Sequence, residues 1–265
     1  MIRLIASDMD GTLLKESGHL PADFPEVFAQ IKSEGAIFAA ASGRQYYNLL
    51  EKFADYADEM LFLAENGTLV MHQGQELYTH ALPLDIARAL IERGRTVKNA
   101  FVILCGKEAA YVESTEPHFI AEVEKYYARY EIVEDLLLVE DTVLKVTMCD
   151  FTSAQTNSLP VFADYVDQLQ VSVSGQIWLD VTNQGANKGK AIAAIQNKLG
   201  ITFEETMVFG DFLNDLEMMS SGYYSYAMQN AHPELKAAAR FISPLTNEEE
   251  AVTQIIKEAF QDTKK

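Results

Sequence analysis

Two cysteines in 265 residues, Cys105 and Cys149, are too few and too far apart for a disulfide framework or a Cys-x-x-Cys metal site. Each sits in an apolar neighbourhood, so buried thiols are expected. No apolar run approaches the roughly 20 residues that span a bilayer, and no basic segment near the N-terminus leads into a cleavable apolar one. A cytoplasmic protein without a membrane partner is the expectation. Basic side chains are scarce, with 21 Lys and Arg against 39 Asp and Glu and a formal net charge of -18. Binding to a nucleic-acid backbone depends on a basic surface, so nucleic acid is excluded as a partner. A phosphorylated ligand would meet the same repulsion, but screening over about 8 Å makes local cations count for more than the total. Internal repeats, low-complexity segments and flexible linkers are also missing. What remains, 48% hydrophobic and 23% charged, is ordinary globular composition with length for one large domain or two smaller ones.

Within residues 2–14 an apolar run of strand length stops at Asp8 and Asp10, followed by Gly11 and Thr12. In an open α/β sheet the ligand crevice lies at the carboxyl ends of the strands, so a strand that ends in acids delivers them to it. Positions i and i+2 of an extended chain face the same side, and Gly11 lets the chain turn away. This suits an anionic centre handled by two carboxylates and a cation. The local alternative is an acidic turn after a strand. A calcium loop counted from Asp8 would need glycine at its sixth and glutamate at its twelfth position, which hold Leu13 and His19 and rule it out.

Along the chain, Phe24, Val27, Phe28 and Ile31 predict a helix within residues 21–35. Residues 36–41 read as a buried strand ending in Ser42-Gly43-Arg44, where a hydroxyl and a helix N-terminus can bind phosphate or serve as an ordinary N-cap. Residues 60–64 predict a third strand, Glu65-Asn66-Gly67 a turn, and residues 68–71 and 76–80 a hairpin. This βαβα order predicts a mainly parallel sheet. From about Pro83 the texture changes to helices alternating with strand pairs. Helices are predicted around Ile86 to Ile91, over 119–130 and near 158–166, and strands over 101–105, 110–112, 143–148, 169–174 and 176–181, as a largely antiparallel sheet. Asn187 then caps a helix over 191–199, with Lys188 at its start as a point charge for phosphate. A nucleotide-binding P-loop is excluded, because Gly185 and Gly189 stand one residue too close and Ala191 replaces the hydroxyl. Residues 207–209 form a short strand ending in Gly210-Asp211, with Asn214 and Asp215 one helical turn on. The tail predicts an edge strand over 223–227 and helices over 233–239 and 248–260.

Asp8-Met9-Asp10-Gly11-Thr12-Leu13-Leu14 after an apolar strand resembles the first motif of the haloacid dehalogenase-like phosphatases. Ser42, then Lys188, then Asp211 with Asn214 and Asp215 resemble the other three in order and spacing, across essentially the whole chain. The insertion resembles the C2 cap of the Cof-type branch. Ala41-Ser42-Gly43-Arg44-Gln45-Tyr46-Tyr47 with Ala64-Glu65-Asn66-Gly67 is most similar to the bacterial sugar-phosphate phosphatases of that branch. The resemblance implies an α/β fold, with a Rossmann-like doubly wound parallel sheet as catalytic core (residues 1–82 and 183–265) and an inserted α/β, C2-type cap (83–182) that sets substrate specificity. It implies Asp8 as nucleophile and Asp10 as general acid and base. Met9, Ser42, Gly43, Arg44, Lys188 and Asn214 would bind the substrate phosphate. Mg²⁺ would be held by Asp8, Asp211, the main-chain carbonyl of Asp10 and, through a water, Asp215. Oxygen-only ligands suit that ion. The implied activity is Mg²⁺-dependent hydrolysis of small phosphate monoesters, sugar phosphates foremost, through an aspartyl phosphate. A phosphomutase using the same residues is the alternative. A phospho-accepting signalling module is more remote, since its aspartate follows a central strand of a much shorter chain.

Overall fold

Strand β1 (Leu4–Asp8) is buried along its whole length, the condition of a central strand covered on both faces of a sheet. Helix α1 (Phe24–Ser33) follows because Phe24, Val27, Phe28 and Ile31 recur every three or four residues and turn one apolar stripe inward. Phe24 meets Phe38 edge-on at 5.5 Å and Tyr56 at 5.3 Å, so aromatic packing fixes the helix over strand β2 (Ile37–Ala41). Helix α2 (Tyr46–Lys52) and strands β3 (Leu61–Ala64), β4 (Leu69–His72) and β5 (Gln75–Thr79) complete this stretch. The computed structural model describes residues 1–262. It divides into two compact units, the first of Met1–Gly43, Phe53–Tyr78 and the chain from Asn187 onward, the second of Arg44–Lys52 and Thr79–Ala186.

The second unit contains α2, α3 (Leu84–Gly94), β6 (Ala100–Gly106), β7 (Ala110–Val112), α4 (Pro117–Tyr126), β8 (Tyr130–Ile132), β9 (Val143–Asp150), β10 (Leu169–Val173) and β11 (Trp178–Asn183). Its six-stranded sheet runs β10-β11-β9-β6-β7-β8, antiparallel except for the parallel pair β7 and β8. Alternation along the strands separates two clusters. Leu104, Val146, Met148, Leu179 and Val181 pack with Leu90, Ile91 and Phe162, whereas Ile103, Cys105 and Cys149 pack with Phe119 and Val123. Both cysteines are buried free thiols, and burial pushes Cys149 up to about 12.

Two elements here differ from the sequence reading. The helix expected over 119–130 stops at Tyr126, and Tyr130 begins β8 instead. Arg129 has its backbone bracketed by a side chain: Gln45 Nε2 donates to its carbonyl at 2.8 Å and its N–H donates to Gln45 Oε1 at 3.0 Å. Those bonds take the place of helical ones. The helix expected near 158–166 is a π-helical turn (Ala154–Ser158) running into 3₁₀ turns (Leu159–Tyr165). Pro160 cannot donate to the carbonyl of Thr156, so the α-helical ladder is interrupted.

The chain then supplies α5 (Lys188–Leu199), β12 (Thr206–Gly210), α6 (Leu216–Met219), β13 (Tyr224–Ala227), α7 (Pro233–Ala238), β14 (Phe241–Ile242) and α8 (Ala251–Asp262). The eight-stranded sheet of the first unit runs β14-β13-β12-β1-β2-β3-β4-β5. Its first six strands in that order are parallel and β4 is antiparallel to β3. Strand β13, expected at an edge, lies one place in, because the two-residue β14 pairs outside it; so short a strand leaves no periodic signal. Strand order reverses between β1 and β12, which makes that boundary the switch point where an open α/β sheet has its crevice. Asp8 pairs with Ala41 and Ser7 with Phe209, so Asp8, Ser42 and Asp211 leave the sheet side by side. No helix among the described residues is long and apolar enough to cross a membrane.

Candidate active site

Helix α5 starts where Asn187 caps it, its Oδ1 accepting the Lys190 N–H at 2.8 Å. That start fixes Lys188, whose side chain has no solvent exposure and whose Nζ donates to Asp8 Oδ1 at 2.5 Å and to Asp215 Oδ1 at 2.7 Å. Asp215 in turn shapes the loop after β12, its Oδ2 accepting the N–H groups of Asp211 at 3.1 Å and Phe212 at 3.4 Å. Asp211 is held from the other side by Thr12, whose Oγ1 donates to its Oδ1 at 3.2 Å. Gly11 allows this approach: a Cβ there would come within 2.3 Å of Asp211 Oδ2.

Carboxylate oxygens of Asp8, Asp211 and Asp215 lie within 4.8 Å of one another, and the Lys188 ammonium bonds Asp8 and Asp215 among them. Burial pushes the Asp8 carboxyl well above the ordinary carboxylate range; Lys188 opposes this, and the charges of Asp215 and Asp211 add to it. Burial, then the charge of Asp215, raises Asp211 to about 6. Burial alone would lower Lys188, but its two carboxylate partners outweigh that and raise it. Three acids against one lysine in a buried place, with oxygen donors only, form a set that fits a hard divalent cation such as Mg²⁺.

Asp10 is exposed, just beyond the buried Asp8. Met9 is fully buried, so only its main chain can face a ligand, and its carbonyl accepts the Leu14 N–H at 2.8 Å. Ser42 is buried; its N–H donates to the Leu63 carbonyl at 2.9 Å and its carbonyl accepts the Asn66 N–H at 2.9 Å. Arg44 belongs to the second unit, where its guanidinium donates to Asn48 Oδ1 at 3.2 Å. Asn214 is exposed, and its Nδ2 donates to Asn66 Oδ1 at 3.1 Å. Two participants are absent from the sequence-derived set of site residues. Thr12 stands within the first motif, and Asn66 within the Ala64-Glu65-Asn66-Gly67 segment of the resemblance, where its own residue type signals only an Asn-Gly turn.

A family model described as haloacid dehalogenase-like hydrolase matches residues 5–256. A 5-amino-6-(5-phospho-D-ribitylamino)uracil phosphatase of Escherichia coli (strain K12) is 32% identical over 97% of this chain and 96% of its own. An HMP-PP phosphatase of Shigella flexneri is 26% identical over 89% of this chain and 88% of its own. Among solved structures, a protein of Streptococcus mutans superposes with a TM-score of 0.87 at 26% identity, covering 98% of this chain and 100% of that one. With the fold, the strand-end acids and a match over nearly its full length, the chain belongs to the haloacid dehalogenase-like hydrolase family.

Proposed function

We propose that this protein is a phosphatase of small phosphate monoesters, with sugar and polyol phosphates as its substrate class and Asp8 as its nucleophile. The observation that carries this reading is the Asp8 carboxylate at the end of the first strand, bonded to a buried lysine and crowded by two further acids. The names of the relatives support the coarser part of this reading, since each is called a phosphatase of a small phosphorylated compound.

Asp8 attacks phosphorus in line, a bond forms from its carboxylate oxygen, and the bond from phosphorus to the leaving alcohol breaks. Asp10 gives its proton to that leaving oxygen. Asp10, now a base, takes a proton from water, which attacks the aspartyl phosphate, releases inorganic phosphate and restores Asp8. One hard displacement becomes two easier ones. Lys188, the Ser42 hydroxyl, the Gly43 N–H and Asn214 hold the transferring oxygens, aided by Arg44 and the main chain of Met9; such positioning is the main task in phosphoryl transfer. Mg²⁺, held by Asp8, Asp211, the Asp10 carbonyl and, through water, Asp215, would offset the negative charge of acids and phosphate together. Residues 83–182 act as the cap that selects the leaving group.

A panel of phosphate monoesters with Mg²⁺, scored by phosphate release, tests this reading. Hexose, pentose and polyol phosphates should outrank nucleotides and phosphopeptides, and Asp8→Asn should release none while its circular dichroism stays native. Release from no ester, or phosphopeptides ranking above every sugar phosphate, would overturn it.

A further inference from the structure

Where β3 ends, the backbone enters a region that side chains rarely occupy. Glu65 and Asn66 have φ values of +50° and +57°, and Gly67 follows at +87°. Asparagine tolerates this left-handed region better than other non-glycine residues, so the backbone alone admits either asparagine or glycine at position 66. The turn is pinned by Thr68, which donates to the Glu65 carbonyl through its N–H at 3.3 Å and its Oγ1 at 3.0 Å. Non-glycine backbone of this kind persists where its surroundings over-determine it, commonly beside functional sites.

The surroundings are three of the loops assigned to phosphate above. The Asn66 N–H donates to the Ser42 carbonyl at 2.9 Å. Its Oδ1 accepts from Asn214 Nδ2 at 3.1 Å. Its side chain lies so close to Gly43 that a Cβ there would stand 3.1 Å from Oδ1. Gly67 abuts the start of α5, where a Cβ would come within 2.6 Å of the Asn187 carbonyl oxygen and 3.0 Å of Lys188 Cα.

We infer that Asn66 is a positioning residue that aims two phosphate-holding donors at once. The Ser42 carbonyl and the Gly43 N–H share one planar trans peptide and point in opposite directions. Holding the carbonyl toward Asn66 therefore turns the Gly43 N–H away from it. At Asn214, engaging one amide hydrogen on Asn66 Oδ1 fixes the plane of the amide and the direction of the other hydrogen. Glycine at position 66 would keep the backbone but lose this second hold. The inference rests on the phosphatase reading and on the role given there to Asn214.

Asn66→Gly tests it, because the left-handed backbone and the bond to Ser42 survive while Oδ1 is removed. Its melting temperature should equal or exceed that of the wild type. Its kcat/KM on the best ester of the panel should fall roughly tenfold, as for one lost hydrogen bond to an aimed group, and the inhibition constant for inorganic phosphate should rise by about as much. Asn214→Ala should show a comparable loss, and the double variant no more than about a twofold loss beyond Asn214→Ala alone, since Asn66 acts through Asn214. Wild-type kcat/KM in Asn66→Gly, or losses that multiply in the double variant, would overturn the inference while leaving the phosphatase reading intact. Absence of phosphate release by the wild type would remove that reading and this inference with it.

Discussion

Replacing Lys188 with methionine keeps the length and bulk of the side chain and removes its charge. The wild-type ammonium is wholly buried and bonds Asp8 at 2.5 Å and Asp215 at 2.7 Å. Its loss leaves two buried carboxylates without that partner, and breaking a buried pair from one side costs ~3–5 kcal/mol. Methionine opens little cavity, so the charge effect stands nearly alone. At ~2–4 °C per kcal/mol for a chain of this size, melting in the presence of a chelator should fall by about 6–20 °C at pH 8. The sign of the pH dependence follows from Asp8, whose folded-state value is raised, chiefly by burial. The stabilising contribution of such a group is complete below its unfolded value of about 3.9 and is lost as pH rises through the folded value. Removing Lys188 raises that folded value further, so the deficit should grow from pH 5 to pH 8. Circular dichroism melts of both proteins at the two pH values measure this, and adding Asp8→Asn to Lys188→Met should recover part of the loss. A variant that melts with the wild type at pH 8, or a deficit larger at pH 5, would refute the reasoning.

Asp211, raised to about 6 by burial and the charge of Asp215, must lose its proton to bind a cation. The affinity for Mg²⁺, read as the rise in melting temperature on titration, should therefore fall roughly tenfold per pH unit below 6; a response equal at pH 5 and pH 7.5, or one that survives in Asp211→Asn, would contradict the metal assignment. In the second unit, Asp150 Oδ1 accepts the N–H groups of Thr152 at 2.9 Å and Ser153 at 3.2 Å, and Oδ2 accepts the Ser158 hydroxyl at 2.5 Å. Burial works against the ionised form, but these bonds and that of Asn157 outweigh it and lower the group. Asp150→Asn should cost about 3 kcal/mol at pH 7, a difference that vanishes in urea titrations as pH falls through the lowered folded-state value. An equal deficit at pH 7 and below pH 3 would show that charge is not its source.

What was legible in the sequence was what is local. A strand ending in Asp8, a strand ending in Asp211 and a capped helix starting at Lys188 each announce themselves within a dozen residues, and the mainly parallel character of the sheet follows from the alternation of strands with helices. The elements that escaped depend on partners far along the chain. Strand β8 exists by pairing with β7, and Gln45, 84 residues away, takes up the backbone of Arg129 that a helix would otherwise use. Asn66 read as a turn because Asn-Gly is a turn signal, yet its side chain answers Asn214, 148 residues on. Asp215 was read only as an outer partner of a metal; the structure adds two tasks, the bond to Lys188 and the closing of the 211–215 loop.

The central claim, that Asp8 carries the phosphoryl group, is tested most directly by rapid quench of Asp10→Ala mixed with labelled para-nitrophenyl phosphate, followed by peptide mapping. Nitrophenolate leaves with little need for protonation, whereas hydrolysis of the intermediate still needs a base. General acid–base assistance is worth about 10²–10⁴-fold, so the variant should release a burst approaching one nitrophenolate per site, then turn over slowly, with the label on Asp8. The same burst from Asp8→Asn, or a label on any other residue, would contradict the account.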